Sequence, residues 1–595
     1  MIAILGKEAP PGEALARKML AAAANGGACV TLRSLGHCVL GVANRPDFVD
    51  SAISTEGAVI AALSGRLDNA AELHRTLTAA GTPPASPADA DIVVAAYRVF
   101  GVDAPNRMRG AFAGVVTDGR SVWCFRDHIG FRPLFYRDEP RAFFAASEPR
   151  QIVVGAQLVE EPDFEVLEQM FFGRMVSDTP AALKGVARLA QATSVSVNSD
   201  KGVTLRCYWD PLELLETARL SAADVRDRLL ELLGQGVARS LTGKDVIFLS
   251  GGLDSPAVAA FAAPEHRRRT GRALGALSLV FPDLPSVDER HYIELVAERF
   301  GIELHTFRPS ARPLDDVDEW CRRFGSPVPM LSIPEVSDAY TRARQLGYEN
   351  VITGEFAEFA FGNPQHVVPH LLTHGRWQAV ANLLLVERRR GASARRLAKL
   401  LLPTFIPGKL ANWYLHWRGL DFPERIPDWL DERKVNEVPF RGDLLLSSRE
   451  RWRQFQLGGT KGATITMEAD ATCAAIAGVT SRRPMADIDL WEFFLSMPAE
   501  IKHPDLRFKS LTRGNLRGIL PDEILDRRGK TVFDEHVMGN LDYGSLKRLL
   551  VQPRHRMPWV DYERLAQRIE RHEFNRFDWF WARDLASIHA FLNAW

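Results

Sequence analysis

A glycine-rich turn between an apolar run and a helical stretch constrains the fold of this chain more than any other feature. Residues 246–249 are apolar, as in a buried strand, and apolar residues recur at helical spacing after the turn. The turn consists of Ser250, Gly251, Gly252, Leu253, Asp254 and Ser255. Glycines allow a phosphate to approach the main chain, while serine hydroxyls and the amides of a helix start donate hydrogen bonds to it. Asp254 adds a carboxylate that can hold Mg²⁺ against phosphate oxygens, so the turn predicts a loop that binds the pyrophosphate part of a nucleotide.

The composition argues against several function classes. Lys plus Arg (74) equals Asp plus Glu (74), so no net field attracts nucleic acid, and no nucleic-acid partner is expected. No apolar run reaches the roughly 18 to 20 residues that span a bilayer, so no membrane partner is expected either. The six cysteines are scattered without metal-binding spacing, which predicts reduced thiols and a cytoplasmic location.

The 595 residues are too many for one ordinary core, and the sequence pattern changes near residue 210. Before that point, short segments of strand character alternate with turn residues, which predicts an all-β or α+β domain over residues 1–210. After it, amphipathic helical stretches alternate with apolar strands at 246–249, 276–281 and 351–353, as in parallel βαβ units. We therefore expect a second, α/β domain over residues 211–595, with a parallel sheet and a helical carboxy-terminal part.

Several motifs resemble those of known enzymes. The loop 250–255 is similar to the SGGxDS loop of the ATP pyrophosphatases, which cleave ATP between the α and β phosphates and form an adenylate. In the first domain, residues 65–69, 109–114, 125–136 and 143–148 resemble the glutaminase domain of asparagine synthetase. The chain as a whole thus resembles the asparagine synthetase superfamily. The resemblance implies a glutaminase-like α+β sandwich of the Ntn-hydrolase type, followed by an α/β ATP-pyrophosphatase synthetase domain.

The first domain departs from the glutaminases at the position that their chemistry requires. That family has a cysteine at the mature amino terminus, where the free amine assists the thiol. Here position 2 is Ile2, and the nearest cysteine along the chain is Cys29. Glutamine hydrolysis is therefore not expected, and we interpret the domain as a degenerate scaffold. The amine for the synthetase reaction must then come from another source.

The resemblance assigns a nucleotide site to the second domain, with ATP and Mg²⁺ as cofactors. It implies nucleotide-binding roles for Ser250, Gly251, Gly252, Asp254, Ser255, Ser278, Val280, Gly354 and Glu355. Ser278 and Val280 stand where the family's backbone holds adenine and ribose, and they fit a core strand equally well. Glu358 aligns with an aspartate that shares the metal with Asp254. Because a glutamate reaches one methylene further, Glu355 is an alternative ligand.

Two catalytic residues are also implied. Lys530 stands where the family's late loop supplies a lysine, whose charge would stabilise the adenylate and the oxyanion of the transition state. Glu468 opens a segment that resembles the β-lactam synthetase segment with a catalytic glutamate, which would orient or deprotonate the attacking amine. A solvated glutamate at a helix start explains Glu468 equally well. Lys509 and Arg513 lie either near the phosphates or on a solvated helix face.

Without glutamine, the simplest amine is one within the substrate itself. The sequence favours an ATP-dependent amide ligase most similar to the macrolactam synthetases of lasso-peptide biosynthesis. Such an enzyme adenylates a side-chain carboxylate of a precursor peptide, and the peptide's amino-terminal amine closes the ring. A leader-peptide protease and a leader-binding protein are the further partners that this resemblance implies. The alternatives are a β-lactam synthetase-like enzyme acting on a small amino acid, an ammonia-dependent asparagine synthetase-like ligase, and a nucleotide-binding scaffold without turnover.

Overall fold

The computed structural model describes residues 1–55, 57–173, 180–198, 202–218, 220–330, 332–357, 364, 366–405, 427–431, 464–527, 531, 534–540, 542–574 and 576–595. The strands are β1 (Ile2–Gly6), β2 (Cys29–Leu35), β3 (Cys38–Asn44), β4 (Ser51–Ile53), β5 (Ile60–Leu67), β6 (Gly110–Thr117), β7 (Ser121–Arg126), β8 (Phe135–Asp138), β9 (Ala142–Ala146), β10 (Ala187–Arg188), β11 (Thr193–Asn198), β12 (Gly202–Cys207), β13 (Asp245–Phe248), β14 (Gly275–Leu279), β15 (Glu303–Phe307), β16 (Asn350–Ile352) and β17 (Thr480–Arg482).

The α-helices are α1 (Glu13–Ala21), α2 (Ala70–Ala79), α3 (Asp89–Phe100), α4 (Ala104–Arg107), α5 (Pro149–Gly155), α6 (Phe164–Gly173), α7 (Ala222–Ser240), α8 (Asp254–Thr270), α9 (Arg290–Phe300), α10 (Val317–Phe324), α11 (Ile333–Gln345), α12 (Val367–Thr373), α13 (Trp377–Arg389), α14 (Ala394–Phe405), α15 (Thr464–Ala477), α16 (Ile488–Ser496), α17 (Ala499–Lys502), α18 (Ser510–Asn515), α19 (Asp522–Asp526), α20 (Asp534–Gly539), α21 (Tyr543–Leu546), α22 (Tyr562–Glu570) and α23 (Arg576–Ala594). Short 3₁₀ turns cover Gly101–Asp103, Pro211–Leu214 and Pro484–Ala486, and a π-helical turn covers Lys547–Val551.

Two antiparallel sheets face each other in the first domain. Their strand orders are β10-β8-β9-β1-β3-β2 and β12-β11-β7-β6-β5-β4. Side chains of β1 alternate between two cores: Ala3 and Leu5 belong to the cluster between the sheets, whereas Ile2 and Ile4 belong to the cluster that includes α1 and α5. On the outer face of the second sheet, Phe112 shares a buried cluster with residues of α2 and α3. These four layers confirm the predicted α+β sandwich.

A parallel sheet with the order β15-β14-β13-β16-β17 forms the centre of the second domain. In its middle strand, Val246 shares a buried cluster with residues of α11 and α15, and Ile247 shares one with residues of α7 and α8. Helices thus cover both faces of the sheet, which explains why the strand is a continuous apolar run. The predicted α/β domain is confirmed.

The carboxy-terminal part is largely helical, as predicted, and its aromatic side chains pack against the first domain. Trp559 stacks on Phe171 of α6 with the ring centroids 4.3 Å apart, and Trp581 of α23 lies 5.4 Å from the same ring. The contacts of Trp559 and Trp581 with Phe171 therefore help to join the two domains. Among the residues that the structure describes, no helix is both long enough and apolar enough to cross a bilayer.

Glu216, in the segment that links the two domains, holds three elements together. Its carboxylate accepts hydrogen bonds from His370 of α12 at 2.9 Å and from the backbone N–H of Ala499 at 2.6 Å, and it lies 3.5 Å from a guanidinium nitrogen of Arg376. Burial by itself would raise the pKa of Glu216, but the hydrogen bond from His370 and the charge of Arg376 lower it to about 2.

Replacement of Glu216 by glutamine should destabilise the protein in a pH-dependent way. The folded-state pKa lies below the unfolded value, so the carboxylate's contribution is present above about pH 4.5 and is lost as the pH falls towards 2. We expect Glu216→Gln to lower the free energy of unfolding by about 2 kcal/mol at pH 7, measured by urea denaturation. Glu213→Gln, at an exposed position of the same segment, should have no effect. A loss in Glu216→Gln that is equally large at pH 2 would contradict this explanation.

Candidate active site

The carboxyl ends of four parallel strands converge at one edge of the second domain. β13 ends at Phe248 and leads into the loop 250–255, while α8 begins at Asp254. β14 lies on one side of β13, and β16 lies on the other side, next to β17. Ligands of open α/β sheets bind at this edge, outside the carboxyl ends of the strands.

The serine hydroxyls of the loop 250–255 fix its backbone. Ser255 Oγ accepts the N–H of Ser250 at 2.9 Å and lies 3.1 Å from Ser250 Oγ, which in turn accepts the N–H of Gly252 at 3.3 Å. These hydrogen bonds within the turn hold its backbone in one conformation at the edge of the sheet. This arrangement has the local form predicted for a phosphate-binding loop.

Gly354, after β16, touches the start of α8 directly. A Cβ atom on Gly354 would lie 2.3 Å from Ser255 N and 2.6 Å from Ser255 Cα. Only a residue without a side chain permits this close approach of two backbones. The structure therefore brings the loop after β16, which contains Gly354 and Glu355, against the loop 250–255.

The carboxylate of Glu289, just before α9, binds a backbone amide of the loop 250–255. The Gly251 N–H donates to Glu289 Oε2 at 2.9 Å, and Arg527 Nη1 lies 2.8 Å from Glu289 Oε1. Thr531 Oγ1 donates to the same carboxylate at 2.6 Å, and the Arg527 guanidinium lies 4.3 Å from the ring centre of Tyr292. A carboxylate thus contacts a backbone amide that such loops present to anions. The sequence analysis did not single out Glu289. The only indication in the sequence is that Glu289 follows β14, the strand next to β13 and its loop.

Lys509 provides a positive charge at the same loop. Its ammonium group forms an ion pair with Asp254, and the residue is buried, with a backbone φ of +58°. Of the two positions that the sequence left open for Lys509, the structure supports the one near the loop. Arg513, one turn further on, instead donates to the backbone carbonyls of Phe508 and Leu525.

The chemistry around Asp254 suits a cation. Its carboxylate already attracts the Lys509 ammonium, and Mg²⁺ in nucleotide sites typically takes one or two carboxylates together with phosphate oxygens. Within the described part of the chain, no group of three or more His, Cys, Asp or Glu residues is arranged to hold a metal by itself. Glu358 and Lys530 lie outside the described residues, so their predicted roles stay predictions.

Ser278 and Val280 lie at the end of β14, as the sequence predicts. Ser278 is buried and, among the described residues, its hydroxyl has no hydrogen-bond partner. The Val280 N–H donates to Phe307 O at 3.1 Å, so this amide is engaged within the sheet. Both residues fit a core strand, and their contact with adenine and ribose stays a prediction.

Glu468, on α15, has partners that sequence reasoning did not anticipate. Its two carboxylate oxygens accept hydrogen bonds from Arg126 and Arg188, both in the first domain. All three side chains are nearly inaccessible to solvent. These contacts join Glu468 to the first domain, and its predicted role in catalysis stays a prediction. The structure gives Glu468 the role of an ion-pair partner between the two domains.

The buried position of Glu468 predicts a large loss of stability upon substitution. Glu468→Gln would remove the carboxylate that both guanidinium groups contact in the interior, and breaking such a buried pair typically costs about 3 to 5 kcal/mol. We expect this lower free energy of unfolding in urea denaturation, while the folded fraction should keep most of its pyrophosphate release. Glu492→Gln, on α16, replaces a carboxylate that accepts one bond from Trp209 Nε1 at 3.0 Å and should cost less. Unchanged stability with complete loss of activity would instead support the catalytic role.

A polar cluster that the sequence did not single out lies beside β17. Arg483 pairs with Asp470 and, at 3.0 Å, with Glu355 Oε2. Asp470 also accepts from the Tyr340 hydroxyl at 2.8 Å and from Ser481 Oγ at 3.1 Å. Glu355, whose side chain is about half exposed at 49%, is thereby fixed on the accessible side of this cluster. Glu355 directly follows Gly354, which contacts Ser255 of the loop 250–255, so Glu355 lies near this loop as predicted.

The sequence profile of the asparagine synthase family matches residues 228–595. The chain belongs to this family. A profile of glutamine amidotransferase domains also matches residues 23–209. Membership of the asparagine synthase family makes the protein an ATP-dependent carbon–nitrogen ligase.

Three relatives match most of the chain. Asparagine synthetase [glutamine-hydrolyzing] 3 of Bacillus subtilis is 25% identical over 80% of this chain and 76% of its own length. Asparagine synthetase [glutamine-hydrolyzing] 1 of the same organism is 25% identical over 87% of this chain and 82% of its own length. The amidase chry2 of Gibberella zeae is 23% identical over 74% of this chain and 72% of its own length. This asparagine synthase family member is therefore similar to glutamine-hydrolysing asparagine synthetases over most of their length.

Proposed function

We propose that this ligase activates a side-chain carboxylate of a precursor peptide with ATP and closes a macrolactam ring with the peptide's own amino-terminal amine. The proposal is supported by Ile2, which stands where the resemblance places the glutaminase cysteine, and by the complete motif of the loop 250–255. Ile2 is completely buried in β1, where the related glutaminases have their cysteine. Without a source of ammonia from glutamine, an amine within the substrate becomes the simplest nucleophile.

The cysteines of the first domain are poor candidates for a replacement nucleophile. Burial raises the pKa of the Cys38 thiol to about 12 and raises that of Cys124 well above its ordinary value. Protonated thiols at such positions do not attack an amide. Cys29 and Cys207 lie exposed on β2 and β12, the edge strands of the two sheets.

The proposed reaction has two steps. A carboxylate oxygen of the peptide bonds to the α-phosphorus of ATP, and pyrophosphate leaves; the amine nitrogen then bonds to the acyl carbon, AMP leaves and the nitrogen releases a proton. The loop 250–255 would bind the leaving pyrophosphate through its serine hydroxyls and the backbone amides at the start of α8, because the N–H groups of Ser250, Gly251 and Gly252 already donate within the protein. Asp254, with Glu358 by the family resemblance, would hold Mg²⁺, whose charge offsets that of the phosphates when it is bound.

A second candidate is favoured by the names of the relatives. The two Bacillus subtilis proteins are asparagine synthetases, so an enzyme that amidates aspartate with free ammonia would need the smallest change of substrate. The same phosphate loop would serve that reaction, and only the acceptor and the amine differ.

Product analysis separates the candidates. Purified protein is incubated with ATP, Mg²⁺ and synthetic peptides that have a free amino terminus and one internal Asp or Glu. We expect AMP and pyrophosphate, together with a peptide lighter by one water in the mass spectrum. The same peptides with an acetylated amino terminus should not lose water. Formation of ADP, or asparagine made from aspartate and ammonia with no cyclised peptide, would refute the macrolactam proposal.

Lys530→Ala should separate nucleotide binding from turnover. If Lys530 stabilises the oxyanion as the resemblance implies, its loss removes a preorganised charge, an effect of about 10²- to 10³-fold on turnover. ATP affinity, measured by calorimetry, should stay within a few-fold of the original protein. Lys547→Ala, at a half-exposed position on the π-helical turn, is the matched control and should be fully active. A parallel loss of ATP binding in Lys530→Ala would assign the lysine to the nucleotide instead.

A further inference from the structure

Three side chains beside the phosphate loop form a closed ring of hydrogen bonds. Arg527 Nη1 lies 2.8 Å from Glu289 Oε1, and Thr531 Oγ1 donates to the same oxygen at 2.6 Å. The Thr531 hydroxyl in turn accepts a hydrogen bond from Arg527 Nη2 at 2.6 Å. The side chains of Glu289 and Arg527 are 11% and 16% exposed, so water has little access to their ion pair. Each of the three residues is therefore held by the other two.

This ring also holds both polar backbone groups of Gly251. The Gly251 N–H donates to Glu289 Oε2 at 2.9 Å, and the Gly251 carbonyl accepts a hydrogen bond from Arg527. The start of α9 packs closely against this glycine, because a Cβ atom on Gly251 would lie 2.7 Å from Glu289 Cβ and 3.0 Å from Tyr292 Cβ. Glu289 thus joins the loop 250–255 to residues 527 and 531.

The carboxylate of Glu289 is engaged within the protein, and its charge is balanced. Its Oε1 accepts two hydrogen bonds and its Oε2 accepts one. The guanidinium of Arg527 offsets the negative charge and also lies 4.3 Å from the ring centre of Tyr292. A carboxylate without such a partner would repel the phosphates of a nucleotide at this loop. These contacts suit a residue that holds two segments in place rather than one that reacts with the substrate.

We propose that Glu289 is a positioning residue of the ligase reaction. It fixes the segment 527–531, which includes Lys530, relative to the phosphate loop. Glu289 acts through this segment and does not touch the substrate. The inference rests on the proposed function, in which ATP reacts at the loop 250–255. Because a misplaced group loses transition-state stabilisation before it loses binding, opening the ring should lower turnover more than nucleotide affinity.

Glu289→Gln opens this ring selectively. The glutamine oxygen can still accept the Gly251 N–H, whereas its amide nitrogen would meet Arg527, which only donates. With ATP, Mg²⁺ and the peptides described above, we expect pyrophosphate release at saturating ATP to fall at least about tenfold, while the dissociation constant of ATP in calorimetry stays within about threefold. Glu294→Gln, exposed on α9, is the matched control and should equal the original protein in both measurements.

Thr531→Val tests whether Glu289 acts through the segment 527–531. Valine keeps the shape of threonine and removes only the hydroxyl, so we expect pyrophosphate release to fall about fivefold. Adding Thr531→Val to Glu289→Gln should change release by less than about twofold, because the ring is already open. Losses that multiply in the double variant would mean separate roles and would overturn the proposal. So would a folded Glu289→Gln protein with the original rate of release, or one whose affinity for ATP falls as much as its turnover.

Hydrogen exchange provides a second readout, which needs no turnover. In the full-length Glu289→Gln protein without ATP, amide exchange in fragments that cover residues 522–531 should be at least about threefold faster, while fragments of β6 stay unchanged. Unchanged exchange in residues 522–531 would overturn the proposal. If the original protein releases no pyrophosphate with any peptide, the proposed function fails, and the exchange measurement still decides whether Glu289 holds this segment.

Discussion

The Asp254→Asn protein should bind ATP weakly and release almost no pyrophosphate. Asp254 is the carboxylate at the start of α8, and its side chain already attracts a buried ammonium group. An amide at this position offers neither the charge nor the second acceptor oxygen that Mg²⁺ and its phosphates require. A metal that stabilises a phosphoryl transition state contributes several kcal/mol, so we expect pyrophosphate release to fall at least about 10³-fold.

The interpretation of this variant depends on two measurements. Melting temperature must be compared, because Asp254→Asn leaves the buried Lys509 without its carboxylate. Asp283→Asn is the matched control, since this carboxylate lies after β14 with a side chain that is 81% exposed, and it should retain full activity. A folded Asp254→Asn protein that releases pyrophosphate within tenfold of the original rate would exclude Asp254 from the site.

The fold was accessible from sequence because both domains follow simple periodicities. The run Val246–Phe248 is apolar at every position because helices cover both faces of the sheet, as is typical of a parallel sheet. In the first domain, β1 is also buried on both faces, so its residues do not alternate in polarity. The sequence pattern therefore did not single out β1 as a strand of the sandwich.

Site residues that belong to a local loop motif could be predicted from the sequence. Contacts between residues that are far apart along the chain could not. Gly354 and Ser255 belong to loops with recognisable motifs, and the structure brings them into contact. Lys509 and Asp254 are 255 positions apart, and only the tertiary fold shows that they form an ion pair. Glu468 is a further example. The motif spacing around it suggested catalysis, but its hydrogen-bond partners, Arg126 and Arg188, lie in the other domain.

Several ion pairs and hydrogen bonds join the first domain to the synthetase domain. Arg239 of α7 pairs with Glu72 of the first domain at 2.7 Å, and Arg109 of the first domain pairs with Asp489 at 2.8 Å. Arg66 of β5 also donates to the backbone carbonyl of Ser481, in β17, at 3.1 Å. The sandwich therefore contacts the parallel sheet of the second domain at its edge strand β17.

Gly354→Ala should abolish ATP binding, an effect as large as that of removing Asp254. The added methyl group would lie 2.3 Å from Ser255 N, 2.6 Å from Ser255 Cα and 2.7 Å from Asp254 C, all of them backbone atoms at the start of α8. Backbone atoms cannot move aside as the end of a flexible side chain does, so the loop after β16 and the start of α8 must separate. We expect no measurable ATP binding by calorimetry and a free energy of unfolding lower by about 1 to 3 kcal/mol.

Gly234→Ala is the matched control for this steric effect. Gly234 lies inside α7, where the nearest atom to an added Cβ is Phe261 Cδ1 at an ordinary 3.6 Å. The substitution should leave ATP binding intact and raise stability by up to about 1 kcal/mol, because alanine favours a helix more than glycine does. Since both variants add one methyl group to the same domain, a difference between them measures the contact of Gly354 with α8 alone. Equal ATP affinity in the two proteins would show that the loop after β16 can retreat without disturbing the phosphate site, and the close approach would then have no functional role.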